Sequence, residues 1–209
     1  MLILGIQRLV VLETPKTGSM ALRAMLEPYT LPASDEAARH VGHTGYMLKH
    51  APALAQAFGG GLETLAVVRE PLSRMKSWYR YRMREKVAHL PVSTKGMRFA
   101  DFMMAYLEDP PPTFANVGRQ DRFVGWNGRE ARVDHLFDYN RLELLEAFLS
   151  ERTGDVLTLP ARNVTPKTKP LDYSLSDAVA TQFEEQNAEE FALYAAVSKT
   201  GYLRRGGVC

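Results

Sequence analysis

Apolar residues fall along this chain in two spacings, short unbroken runs and repeats of three and four, and their alternation lays out the elements. Leu9-Val10-Val11-Leu12 is a short β-branched run, the pattern of a strand buried on both faces, and Thr64-Leu65-Ala66-Val67-Val68 has the same character. Behind the first run, Ala21, Leu22, Ala24, Met25 and Leu26 favour a helix. Leu48, Leu54, Ala55 and Phe58 predict a short helix that ends at Gly59-Gly60-Gly61. Pro71 suits a first helical turn, and Leu72, Met75, Tyr79 and Met83 follow it at spacings of three and four. The opposite side of that helix carries Ser73, Ser77, Arg80 and Arg84.

Further along, a helix near Phe99–Leu107 is closed by Asp109-Pro110-Pro111-Pro112. Residues 120–124 are ambiguous, whereas residues 132–139 alternate in part and predict another strand. Leu142, Leu145, Phe148 and Leu149 predict the next helix, and a polar loop over 159–173 leads to a long helical region from about Ser176 to Lys199. Strands alternating with helices predict an α/β fold: a central parallel sheet flanked by helices, with ligands at the carboxyl ends of its strands.

A chain of 209 residues suits one domain over 1–209, and neither an internal repeat nor a low-complexity tract divides it. A formal charge of +2 is too small for a nucleic-acid partner to be expected, so any basic site must be local. No run reaches the length of a membrane span, and the start of the chain lacks a signal-peptide layout, so a cytoplasmic protein is expected. Cys209 is the only cysteine, which rules out an intramolecular disulfide, and no metal-ligand spacing is visible among the histidines. Asn163-Val164-Thr165 matches a glycosylation sequon, of little meaning without a secretion signal.

Chemistry concentrates where the first strand gives way to its helix, at Pro15-Lys16-Thr17-Gly18-Ser19-Met20. The first N–H groups of a helix have no partners within it and the helix dipole is positive there, so an anion is the natural occupant. Gly18 allows close backbone approach, and Lys16 adds a full charge. Neither the Walker A pattern nor the three-glycine dinucleotide fingerprint fits these residues. A second cluster, Arg69-Glu70-Pro71-Leu72-Ser73-Arg74-Met75-Lys76-Ser77, follows the second strand. Arg69 at the strand end and Ser77 two helical turns later can reach one phosphate. The competing interpretations are an ordinary turn with a surface lysine and a solvated basic helix face; the latter is preferred for Arg80, Arg82 and Arg84.

The first segment resembles the 5′-phosphosulfate loop, Pro-Lys-x-Gly-Ser/Thr, of the PAPS-dependent sulfotransferases. The second resembles that family's 3′-phosphate motif, in which an Arg and a Ser hold the 3′-phosphate of the nucleotide. Gly42-His43 stands where the uronosyl 2-O-sulfotransferase subgroup has its catalytic histidine. Residues 119–123 resemble the family's Gln-containing turn, and Arg162-Asn163-Val164-Thr165 its His-x-Asn-x-Ser segment.

The resemblance implies a three-layer fold like that of the P-loop NTPases, with 3′-phosphoadenosine 5′-phosphosulfate (PAPS) as donor and no metal. It implies nucleotide contacts from Pro15, Lys16, Thr17, Gly18, Ser19, Met20, Arg69, Ser77 and Asn163. Lys16 would then assist the leaving phosphate and His43 would act as general base, with His40 next in line and His50 a surface residue. The acceptor is expected to be a hydroxyl, preferably of a carbohydrate, and Arg80, Arg82, Arg84, Lys86 and Lys95 would suit an anionic glycan. Two positions depart from the pattern: Met20 replaces a second hydroxyl residue, and Arg162 replaces the His. A catalytically silent module that binds nucleotide or anionic glycan is the main alternative, with a P-loop-like kinase behind it.

Overall fold

A computed structural model describes residues 1–31, 39–160 and 171–206. Its sheet has five strands in the order β1 (Leu2–Leu4), β2 (Leu9–Leu12), β3 (Glu63–Val68), β4 (His135–Asp138) and β5 (Tyr202–Arg204). The three inner strands run parallel, whereas β1 and β5 pair antiparallel on the two edges. The sheet is therefore mixed, a correction to the purely parallel sheet that the pattern predicts. A tight turn, in which the Arg8 N–H donates to Gly5 O at 3.1 Å, joins β1 to β2, and so short a link permits only antiparallel pairing.

Helices cover both faces of the sheet, because inner-strand side chains alternate between them. Leu9, Val11, Leu65, Val67 and Phe137 meet α1 (Ser19–Leu26) and α7 (Leu142–Thr153) through Leu22, Met25, Leu26, Leu145 and Leu149. On the other face Val10, Leu12, Ala66, Val68 and Leu136 meet α2 (His43–Lys49), α6 (Gln120–Val124) and α9 (Ala188–Ser198). The link before β3 is completed by α3 (Ala51–Ala57), so the single helix expected near 48–58 is two, parted at His50. The long helical region also divides, into α8 (Asp177–Gln186) and α9, at Asn187. Asn187 is buried; its amide donates to Phe183 O at 2.8 Å and accepts from the Tyr106 hydroxyl at 2.7 Å.

A satellite core joins α4 (Pro71–Arg82), α5 (Phe99–Tyr106) and α8 through Met75, Tyr79, Phe99, Phe102, Met103 and Phe183. The Glu70 carboxylate caps α4 by accepting from the N–H groups of Leu72 and Ser73 at 2.9 and 2.6 Å. Arg82 does not lie on a solvated face as expected. It is buried, and its guanidinium donates to the carbonyls of Thr113 and Asn116 at 3.2 and 3.1 Å, and to that of Phe114. Carbonyls of an irregular segment need donors when buried, and Arg82 supplies them. Among the described residues no helix is long and apolar enough to cross a membrane.

Candidate functional site

Between β2 and α1 the chain makes a compact loop. The Thr14 N–H donates to Leu12 O at 2.9 Å, and the Thr17 hydroxyl donates to Thr14 O at 2.8 Å. Lys16 and Gly18 both take left-handed backbone angles, with φ of 72° and 82°. The second suits glycine; the first costs a side-chain-bearing residue on the order of 1–2 kcal/mol. Gly18 stands at the cap position of α1 and has no side chain with which to cap it. Just upstream, the buried Glu13 carboxylate is taken up by Arg23 and by the Met1 amino group, so it does not oppose an anion at the loop.

Arg69 follows the last residue of β3, and Tyr139 follows the last residue of β4. The Arg69 guanidinium lies over the Tyr139 ring, 4.4 Å from its centroid, while its Nε donates to Ser73 Oγ at 2.9 Å and its Nη1 reaches Lys16 O at 3.4 Å. The same tyrosine borders the loop, since a Cβ on Gly18 would stand 3.4 Å from Tyr139 Cε2. Segments leaving three adjacent parallel strands thus converge, as expected at the carboxyl end of such a sheet.

One face of α4 lies beside them. Ser73, Ser77 and Tyr81 recur every four residues and share that face. Arg69 touches its first member, and Lys16 Nζ is 4.1 Å from the ring centroid of Tyr81 and 5.5 Å from that of Trp78. Ser77 lies between these two contacts. Arg84 adds a guanidinium 4.2 Å from the Tyr81 centroid. Burial, then the charges of Arg84, Arg69, Arg80 and Arg82, lower the Lys16 pKa from 10.5 to about 8. Glu70 adjoins Arg69, but its oxygens are engaged in capping α4. The result is a local concentration of positive charge among aromatic rings, which favours an anion nearby.

No family model, curated protein or solved structure matches the chain. Assignment therefore rests on the motifs and on this geometry.

The structure does not bring His43 to the phosphate loop. His43 opens α2 and lines a cavity of about 460 Å³ with Leu62, Thr64, Asp134 and Arg205, at the amino ends of β3 and β4. Thr64 and Arg69 are separated by nearly the whole length of β3, about 16 Å. The start of α2 is held against α6: a Cβ on Gly42 would come within 2.9 Å of Phe123 O, so glycine is needed for that approach. Only 6% of His43 is exposed, its Nδ1 has no hydrogen-bond partner among the described residues, and burial followed by Arg205 pushes its pKa down.

His40 is the histidine that lies beside the loop. Its Nδ1 is 2.8 Å from Glu13 O, at the entrance of the loop, and the residue is exposed. A carbonyl can only accept, so Nδ1 is the donor, and in the neutral tautomer that this selects the lone pair is on Nε2.

Gln120, in the Gln-containing turn, is drawn to Arg69: the Arg69 N–H donates to Gln120 Oε1, and Gln120 Nε2 donates to Arg69 O, both at 2.8 Å. Asn163 and Arg162 lie outside the described residues, as does Cys209. Among the described residues no three His, Cys, Asp or Glu side chains are grouped to hold a metal ion. Lys95 donates to Glu85 at 2.6 Å and Arg82 is buried, which leaves Arg80, Arg84 and Lys86 of the basic set expected to meet an acceptor. Sequence reasoning missed Tyr139 and Tyr81. The available signals were the position of Tyr139 directly after a strand, like that of Arg69, and the four-residue step from Ser77 to Tyr81.

Proposed function

We propose that the chain is a PAPS-dependent sulfotransferase with a P-loop NTPase-like fold that moves a sulfuryl group from PAPS to a carbohydrate hydroxyl. The observation that carries this is the meeting of two motifs: Arg69 reaches Lys16 O beneath the α4 face that holds Ser73 and Ser77. One nucleotide bearing phosphates at both ends of its ribose would span them. Lys16 and the N–H groups of residues 17–20 would stabilise charge on the departing 5′-phosphate, and Arg69 and Ser77 would bind the 3′-phosphate. The acceptor oxygen attacks sulfur, its proton passes to His40 Nε2, and the bond from sulfur to the 5′-phosphate oxygen breaks. Arg84 and Lys86 are exposed cations that favour an anionic acceptor.

Calorimetry with 3′,5′-adenosine bisphosphate and ADP tests the proposal. Wild type should prefer the bisphosphate by about 10- to 100-fold, the worth of a charge-assisted hydrogen bond to phosphate, and Arg69→Ala should abolish the preference. Equal binding of the two nucleotides, or binding of neither, would overturn it in favour of a kinase-like or silent module.

Lys16 adds a pH signature. Its pKa of about 8 lies below the ordinary 10.5, so an anion that restores its charge must bring a proton with it in that window. Bisphosphate affinity should fall as pH rises above about 8, with proton uptake measurable in buffers of differing ionisation enthalpy. Stability of the free protein runs the other way. The unfolded chain binds more protons at Lys16 than the folded one, so this group adds stability as pH climbs from about 8 towards 10.5. Affinity independent of pH across that range would remove Lys16 from the anion site.

A further inference from the structure

We infer, taking the sulfotransferase assignment above as premise, that Gln120 is a positioning residue that aims Arg69 at the 3′-phosphate, and that Glu190 holds Gln120 in place. Arg69 stands one residue beyond the last ladder pair of β3 and β4, Val68 with Asp138, where no neighbouring strand supplies its hydrogen bonds. A single side-chain amide supplies both. Gln120 Oε1 accepts from the Arg69 N–H and Gln120 Nε2 donates to Arg69 O, so the side chain acts as one further residue of a β-strand.

The amide is itself fixed. Gln120 Nε2 and the Gln120 main-chain N–H donate to Glu190 Oε1 at 2.9 and 3.1 Å. The same oxygen is 2.9 Å from Arg74 Nη2, which also donates to Gly118 O at 2.8 Å. Gln120 and Glu190 are each 1% exposed and Arg74 2%, so water does not compete for these bonds. Turning the amide over would set a donor against the Arg69 N–H and an acceptor against Arg69 O, which leaves one orientation.

The backbone held this way sets the exit direction of the Arg69 side chain, and hence its contacts with Ser73 Oγ and the Tyr139 ring. Arg74 is thereby accounted for too: within the Arg-x-Pro-x-x-Arg-x-x-Ser pattern it neutralises the carboxylate behind Gln120 rather than meeting phosphate. Misplacing a binding group by about 1 Å can lower rate or affinity up to a hundredfold, so the arrangement has functional reach.

The test compares full-length wild type with Gln120→Met, which keeps length and volume but loses the amide, after circular dichroism shows the variant folded. Two quantities are read: the ratio of dissociation constants for ADP and 3′,5′-adenosine bisphosphate, and the NMR signal of the Arg69 Nε–H, which the Tyr139 ring shifts. The expected result is a bisphosphate preference reduced about tenfold with ADP affinity nearly held, and a displaced Arg69 signal. An unchanged preference, or parallel weakening of both nucleotides, would overturn a positioning role. Gln120→Asn covers failure of the first variant to fold, since it keeps the amide but draws it back by one methylene from Arg69. Equal nucleotide binding by wild type would sink the sulfotransferase assignment instead. In that case the Arg69 signal alone decides, and an unmoved signal in either folded variant overturns the positioning role.

Discussion

Turnover is expected to fall by about 10²–10⁴ in a His40→Ala variant, while nucleotide affinity holds and His43→Ala keeps both. The loss corresponds to about 2.7–5.4 kcal/mol of transition-state stabilisation, the contribution of a positioned general base. His40 meets the two geometric conditions for that role: a carbonyl, Glu13 O, orients its Nδ1, and an exposed ring leaves Nε2 free to take a proton. His43 meets neither, since it is buried at the amino ends of the strands with Thr64 and Asp134. Release of 3′,5′-adenosine bisphosphate from PAPS, followed with a panel of carbohydrate acceptors, gives the rates. Loss of turnover in His43→Ala with full turnover in His40→Ala would reverse the assignment.

Glu190→Ala is expected to destabilise the fold by about 3–5 kcal/mol, a large share of the 5–15 kcal/mol that holds a typical domain together. The variant strands the buried Arg74 guanidinium and leaves two Gln120 donors without an acceptor. Desolvated charge without a partner is the costly outcome, not the loss of the ion pair as such. The double variant Arg74→Met with Glu190→Leu should therefore lose less than Glu190→Ala alone. Urea-unfolding midpoints measured at constant m-value give both quantities and their coupling. A loss below about 1 kcal/mol for Glu190→Ala would mean that the pair is not desolvated as its 2% and 1% exposure indicates.

Local pattern made the core of the fold legible. The apolar runs at 9–12 and 64–68 are β2 and β3, and the threefold and fourfold spacing behind Pro71 is α4, because burial on one face writes its period directly into the chain. The edge strands β1 and β5 have three residues each, too few to show any period. Their antiparallel pairing depends on a turn and on a neighbouring strand.

The candidate site divides along the same line. Lys16, Gly18, Arg69 and Ser77 could be named as candidates because the features that mark them lie within a loop or a helical turn. Arg82 shares the polar sequence around it, yet residues 113–116 fold over it and convert an exposed cation into a donor for buried carbonyls. The choice between His40 and His43 hinges on where α2 begins and on what α6 packs against Gly42. Gln120 meets Arg69 across 51 positions and Glu190 across 70. Sequence by itself determined the inner strands, most of the helices and which residues are candidates to meet an anion, since these arise from neighbouring residues and local backbone. Tertiary structure alone decided which histidine, tyrosine and buried amide lie beside those candidates, because partners far apart in sequence leave no local pattern before the chain packs.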